Sequence, residues 1–268
     1  FLKMPTKIKE GFEQAKVAFN SFVEGMNKVQ KFGDMMDFLK SSIGNVVKVL
    51  GLLVVGKIIL DLAPASIEVA TNFENLERRI KFTSGSISEG AKNIAFLRSE
   101  AKRLNVDLSQ TLESGSKFFQ ATKDTPIEGY QSRQIVSAVT QASAVYGLDL
   151  DKQQRTFTAL EQMSGKTVVS QEELRQQLAE AIPNAAQIAA NAYGTTTQSM
   201  NQLLATGRVL AEDFLPKFAQ QLKAQTSSGV GDAVNSSVAI TNKFNNSLIE
   251  LQESIGKTLL PFRNFSLS

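Results

Sequence analysis

An all-α fold is predicted for this 268-residue chain, and three observations predict it. Apolar residues recur at steps of three and four along almost the whole length, capping residues and glycines punctuate those stripes, and no sustained stretch alternates with the period of a strand. The expected architecture is a bundle of short capped helices, with a hydrophobic helical segment before it and a coiled-coil-like helix at its end.

From Lys7 to Phe32, the residues Phe12, Ala15, Phe19, Phe22, Val23, Met26 and Val29 form a wide helical stripe that Gly33 ends. The plain reading is an amphipathic helix packed on neighbours. The sharper one is a membrane-surface helix, since every cation in the first 60 residues is Lys, although Glu10, Glu13 and Glu24 weaken it.

Residues 34–62 are the most apolar part, with V-V-K-V-L-G-L-L-V-V-G-K-I-I-L at Val46 to Leu60. A membrane-spanning helix needs about 20 apolar residues. Lys48 and Lys57 leave only the eight residues Val49 to Gly56 uncharged between them. Three readings compete: a buried helix at a subunit interface, a conditional membrane-inserting segment and an ordinary span. Val47, Leu50, Val54 and Ile58 are the interface or membrane-interacting candidates, and Gly44, Gly51 and Gly56 would let helices approach closely.

Pro64 predicts a break over residues 63–66, because proline disfavours helix at the residue before it. Helix resumes through Val69, Phe73, Leu76 and Ile80. Ser86 and Glu89 have capping-box spacing and open a helix carrying Ile94, Leu97, Ala101 and Leu104, which Asn105 can stop. Leu112, Phe118 and Phe119 mark the next, and K-D-T-P-I-E-G at Lys123 to Gly129 is a turn. Ile135 to Tyr146 and Phe157 to Met163 give two more, ending at Gly147 and Gly165.

Residues 167–222 hold the densest local signals. Ser170 and Glu173 form a second capping box, with Val169 and Leu174 at the staple positions. Leu178, Ala181 and Ile182 continue the apolar face until Pro183 ends or bends the helix. A short helix with Ile188, Ala189 and Ala192 inward stops at Gly194, and Thr195 to Thr197 supply the next N-cap. Met200, Leu203 and Leu204 make a third helix closed by Gly207. A fourth is expected to begin near Asp213, with Phe214, Phe218 and Leu222 four apart and Pro216 tolerated in its first turn.

This succession, with E-E-L-R-Q-Q-L-A-E-A-I-P, Y-G-T-T-T and A-E-D-F-L-P-K-F-A in that order, resembles the tape-measure domain of bacteriophage tail tape-measure proteins. Looser similarity runs upstream to A-T-N-F-E-N-L-E-R-R, near Ala70, and downstream to L-L-P-F, so that it covers the last three quarters of the chain. The resemblance implies a structural protein of a phage tail, lying inside the tail tube or at its tip. It implies setting of tail length, nucleation of tail assembly and release ahead of DNA at ejection, with tube and tip or baseplate proteins as partners. It carries no catalytic motif. The family-motif residues are structural: Ser170, Glu173, Leu174, Pro183, Gly194, Asp213, Phe214, Pro216 and Phe218.

Ser227 to Asp232 reads as a Gly/Ser-rich linker, and Val234 to Leu259 as a near-heptad helix packed locally and leading to a rod. Three segments follow: 1–66 with amphipathic and hydrophobic helices, 67–226 as the tape-measure helical domain, and 227–268 as linker and last helix. The terminal residues resemble neither a signal peptide nor a natural end, so an ordered piece of a longer polypeptide is expected.

The chain has no Cys and no His, which removes disulfides, thiolate metal sites and the usual triads. Its net charge of +3 comes without a dense basic run, so dedicated nucleic-acid binding is not expected. S-G-K-T at Ser164 to Thr167 has a P-loop ending, but that motif needs glycine where Leu160 stands. The pairs Glu172 with Glu173, Glu212 with Asp213 and Asp149 with Asp151 have the residue types of glycosidase catalysis; as helix-start residues they instead complement the helix dipole. No enzyme activity, cofactor or metal is expected. Self-association is, as a trimer first and a hexamer second, with the 34–62 helix in the interface. The alternative reading is a membrane-active helical pore or toxin module. Location in the virion tail is expected, with the host envelope and membrane reached after ejection.

Overall fold

The computed structural model describes residues 51–259, and it is helical nearly throughout. Helix α1 spans Gly51–Thr83 and runs straight through position 64, so the expected break is absent. Proline costs an interior helix one hydrogen bond and a clash with a carbonyl one turn back. Here the flanking helix outweighs that cost, with Ala70, Phe73 and Ile80 buried along its later turns.

Helix α2 (Ile87–Leu104) begins where Ser86 Oγ accepts from the Glu89 amide at 3.1 Å. The box is half formed. Glu89 does not close it but takes Arg133 of the fourth helix at 2.6 Å and Lys92 at 3.3 Å, a stronger, charge-assisted pairing. Asn105 stops α2 in the left-handed conformation, φ 50°, and its amide donates to the Val234 carbonyl. Helix α3 (Leu108–Ala121) is capped by Asp107, whose Oδ1 accepts from the Gln110 amide at 2.7 Å. Helix α4 (Tyr130–Tyr146) ends at Gly147, φ 62°. Helix α5 (Leu150–Ser164) opens on Asp149, which accepts from the Lys152 amide.

A π segment, Glu173–Leu178, passes into α6 (Ala179–Ala181), and α7 (Ala185–Ala192), α8 (Thr197–Ala205) and α9 (Ala211–Thr226) follow. Ser227 to Asp232 is no loose linker. It forms a 3₁₀ turn, Ser227–Gly229, that enters α10 (Val230–Val234), with Thr226 and Ala233 buried on either side. Helix α11 (Ser237–Leu259) completes the described residues. None of them forms a strand; one isolated bridge joins Val168 to Leu210.

Of the described residues, Glu74–Asn246 form one compact unit, while those before Glu74 and those from Ser247 onward belong to another. In the larger unit α4 packs lengthwise on α9, α2 and α3 pack on each other and on α4, and α5 lies against α3 and the π segment. Phe118, Phe157, Phe214 and Phe218 are fully buried in its core with Leu97, Leu112, Ile135 and Leu160. Gln141 and Ser137, buried there, are paired across helices, as interior polar groups usually are. Gln141 Nε2 of α4 donates at 3.0 Å to both the Lys223 carbonyl and Thr226 Oγ1 of α9, and Ser137 Oγ donates to Glu100 Oε2 at 3.0 Å. In the smaller unit Gly256 lies so close to α1 that a Cβ there would come within 2.0 Å of the Ser66 carbonyl oxygen.

Candidate functional site

The residues from Thr167 to Ala211 form a clasped excursion between α5 and α9. Its two ends are tied by backbone bonds: Val169 N–H donates to the Val209 carbonyl at 2.8 Å, and Ala211 N–H to the Thr167 carbonyl at 3.1 Å. At the entry the capping box is reciprocal. Glu173 N–H donates to Ser170 Oγ at 3.3 Å, while Ser170 N–H donates to Glu173 Oε2 at 2.9 Å. The other carboxylate oxygen meets Lys166 Nζ at 2.5 Å, with the Glu173 side chain only 3% exposed. Burial pushes this carboxyl up, but Lys166 and the two Ser170 bonds outweigh it and hold it below the ordinary value. The same contact raises Lys166. The lysine of S-G-K-T is thus an ion-pair partner, and Ser164 Oγ donates to the Glu161 carbonyl as the last residue of α5.

Val169, Leu174, Leu178 and Ile182 are all fully buried. Ile182 is extended, φ −102° and ψ 110°, as a residue before proline should be, and Asn184 turns left-handed to start α7. Ala190 is buried in α7, whereas Ala192, expected inward, is half-buried. Gly194 and Gly207 take φ 60° and 64° just past α7 and α8, and Thr196 caps α8.

Helix α9 starts at Ala211, two residues before the expected point, so Pro216 falls in its second turn. The helix gives up one interior bond there, beside fully buried Phe214 and Leu215. Phe214 stacks on Phe218 at 5.4 Å and on Tyr193 at 6.3 Å. The Tyr193 hydroxyl donates to Asp213 Oδ2 at 3.3 Å, and Lys217 Nζ reaches the same oxygen at 2.7 Å while lying 4.8 Å over the Tyr193 ring. Burial, then the Asp213 charge, raises the Tyr193 hydroxyl well above the ordinary tyrosine range. Lys166, Tyr193 and Lys217 stand inside the quoted motifs, but the motifs assign them none of these pairings. Only the charge spacing of Asp213 and Lys217, one helical turn apart, was a local signal for them.

A family model described as tape measure protein matches residues 65–257. The chain belongs to the tape measure protein family. A relative named "Probable tape measure protein", from Salmonella phage Felix O1 (isolate Felix O1-VT1), is 25% identical over 219 residues, covering 75% of this chain and 29% of the relative. The match therefore spans less than a third of that protein's length. No solved structure matches. The tape measure match takes in the whole clasped excursion and the larger compact unit.

The other candidates are placed as follows. Val47 and Leu50 lie outside the described residues; Val54 and Ile58 fall within α1. Among the described residues no helix is long and apolar enough to cross a membrane, and no cluster of three acidic residues is placed to hold a metal ion. The paired carboxylates are divided between structural tasks. Asp149 caps α5 and Asp151 pairs with Arg155 at 2.9 Å; Glu173 is buried beside exposed Glu172.

Proposed function

We propose that this chain is the folded, assembly-nucleating part of a phage tail tape measure, distinct from the stretched part that sets length. The observation that carries this reading is the compact unit of Glu74–Asn246, which lies wholly inside the tape measure match. A continuous helix gains about 1.5 Å of length per residue. Helices folded back on one another gain far less, so a module of this kind suits an end or anchor of the ruler. The chain then acts in the virion tail, inside the tube or at its tip, with tube and tip or baseplate proteins as partners and no catalytic task. Self-association, as a trimer first and a hexamer second, and departure ahead of DNA toward the host envelope belong to the same reading.

In-frame deletions in the full-length gene, scored by electron microscopy of tails, test it. Removing residues 74–246 should abolish tails or leave them irregular, while shortening a helical stretch elsewhere should shorten tails in proportion. Uniform tails shortened by about 1.5 Å per residue on removal of 74–246 would place the unit within the ruler and overturn the proposal.

A further inference from the structure

Within the larger unit a cleft of about 860 Å³ lies outside the clasped excursion. Its walls are the α2–α3 turn, the end of α4 with the α4–α5 turn, and the α10–α11 segment. The floor is aliphatic, with Leu104 and Val106 buried and Ala233 and Ala239 closing it from the other side. At the rim Val238 and Leu150 are 69% and 56% exposed, so the apolar surface continues beyond the cleft. That volume falls within the range of roughly 300–1,000 Å³ seen for binding clefts.

The charge of the lining has one sign. Asp107, Asp149 and Asp232 line it, with no Lys or Arg among the lining residues. Asp107 and Asp149 are partly engaged as N-caps, and Asp149 also has Lys152 Nζ at 4.0 Å, whereas Asp232 is exposed and makes no ion pair among the described residues. The last turns of α2 and α4 also end at this cleft, and helix C-termini carry partial negative charge. A second, independent feature points the same way to a bound group. Gln153, only 3% exposed, lines the cleft, and its Nε2 donor is closed off from solvent with no hydrogen-bond partner among the described residues. A buried donor left unpaired costs stability.

We propose that this cleft binds a peptide segment of another protein chain in which lysine or arginine alternates with aliphatic residues. Aliphatic side chains cover the floor, a cation meets Asp232, and the Gln153 side chain turns its Nε2 toward the cleft to donate to a main-chain carbonyl of the peptide. A rigid helix would keep its interior carbonyls to itself, so the occupant binds as an extended segment or turn. The inference does not depend on the tail reading.

Titration of the full chain with a synthetic peptide alternating lysine with valine and leucine, beside its glutamate counterpart, tests this by fluorescence anisotropy. The basic peptide should bind at least tenfold more tightly, and its affinity should fall as salt rises. Asp232→Lys should weaken it by tenfold or more with the helical circular dichroism intact. Gln153→Leu should weaken it several-fold while leaving thermal stability equal or higher, which an amide serving only the fold would not do. Equal binding of the two peptides, or an Asp232→Lys chain that binds as well as the parent, overturns the proposal.

Discussion

Helices α4 and α11 invert the expectation that the most regular apolar stripe marks the most buried helix. Helix α11 has near-heptad spacing, yet Val238, Leu248 and Ile240 along it are 69%, 44% and 37% exposed. Helix α4 has a mixed sequence, Y-Q-S-R-Q-I-V-S-A-V-T-Q-A-S-A-V-Y, and buries an unbroken run from Ile135 to Ser143. The difference lies in side-chain size. Ser137, Ala138, Thr140 and Ala142 let neighbours close on α4 from several sides, and its buried hydroxyls are satisfied, Thr140 and Ser143 by the carbonyls of Val136 and Val139 and Ser137 by Glu100. A periodic stripe shows which face a helix can bury; small residues show how many faces it does bury.

The comparison breaks most sharply at Val139, which is 1% exposed. Val139→Asp places an unpaired charge in the α4 core and should cost about 4 kcal/mol or more, enough to abolish cooperative unfolding of the Glu74–Asn246 unit in a denaturant titration. In the smaller unit the tightest point on α11 is Gly256. Gly256→Val forces a side chain into the Ser66 carbonyl and Ala70 Cβ, and should cost about 1–3 kcal/mol, read as lost protection from hydrogen exchange in α11 after Ser247.

The capping carboxylate gives a smaller, pH-dependent effect. Its folded pKa lies below the ordinary 4.5, so its stabilisation is complete above that value and disappears as the pH falls through the folded one. The stability difference between the parent and Glu173→Gln should therefore be constant near neutrality and shrink below about pH 4.5. The smallest effect is expected at exposed Leu248, where Leu248→Asp should shift the stability of the isolated chain by no more than about 0.5 kcal/mol. A large loss there would mean that the α11 stripe is covered in solution, and would narrow the contrast with α4.

Most helix ends were legible because they are decided within a turn of chain. Ser170, Thr196, Asn105, Gly147, Gly194 and Gly207 each act through a bond or a positive φ that their own chemistry specifies. What escaped the sequence depends on partners far along the chain. Glu89 leaves its box for Arg133, 44 residues away, and Tyr193 finds Asp213, 20 residues on. Pro64 is carried by the helix around it, and Ser227–Gly229 is drawn into helix where Gly229 sits against Val145. The candidate site was half visible for the same reason. Its cap and buried stripe are local, whereas the Val168–Leu210 clasp exists only once α5 and α9 are in place.

The π segment Glu173–Leu178 holds slack. Removing one residue from an ordinary helix turns everything beyond it by roughly 100°, because 3.6 residues make a turn, and so carries the apolar stripe off the core. A π turn contains about one residue more than the α-helix needs. Deleting exposed Gln176 should let the segment tighten into a regular helix while Leu178 and Ile182 keep their places inside. Here the chain can change length by one residue without changing its register.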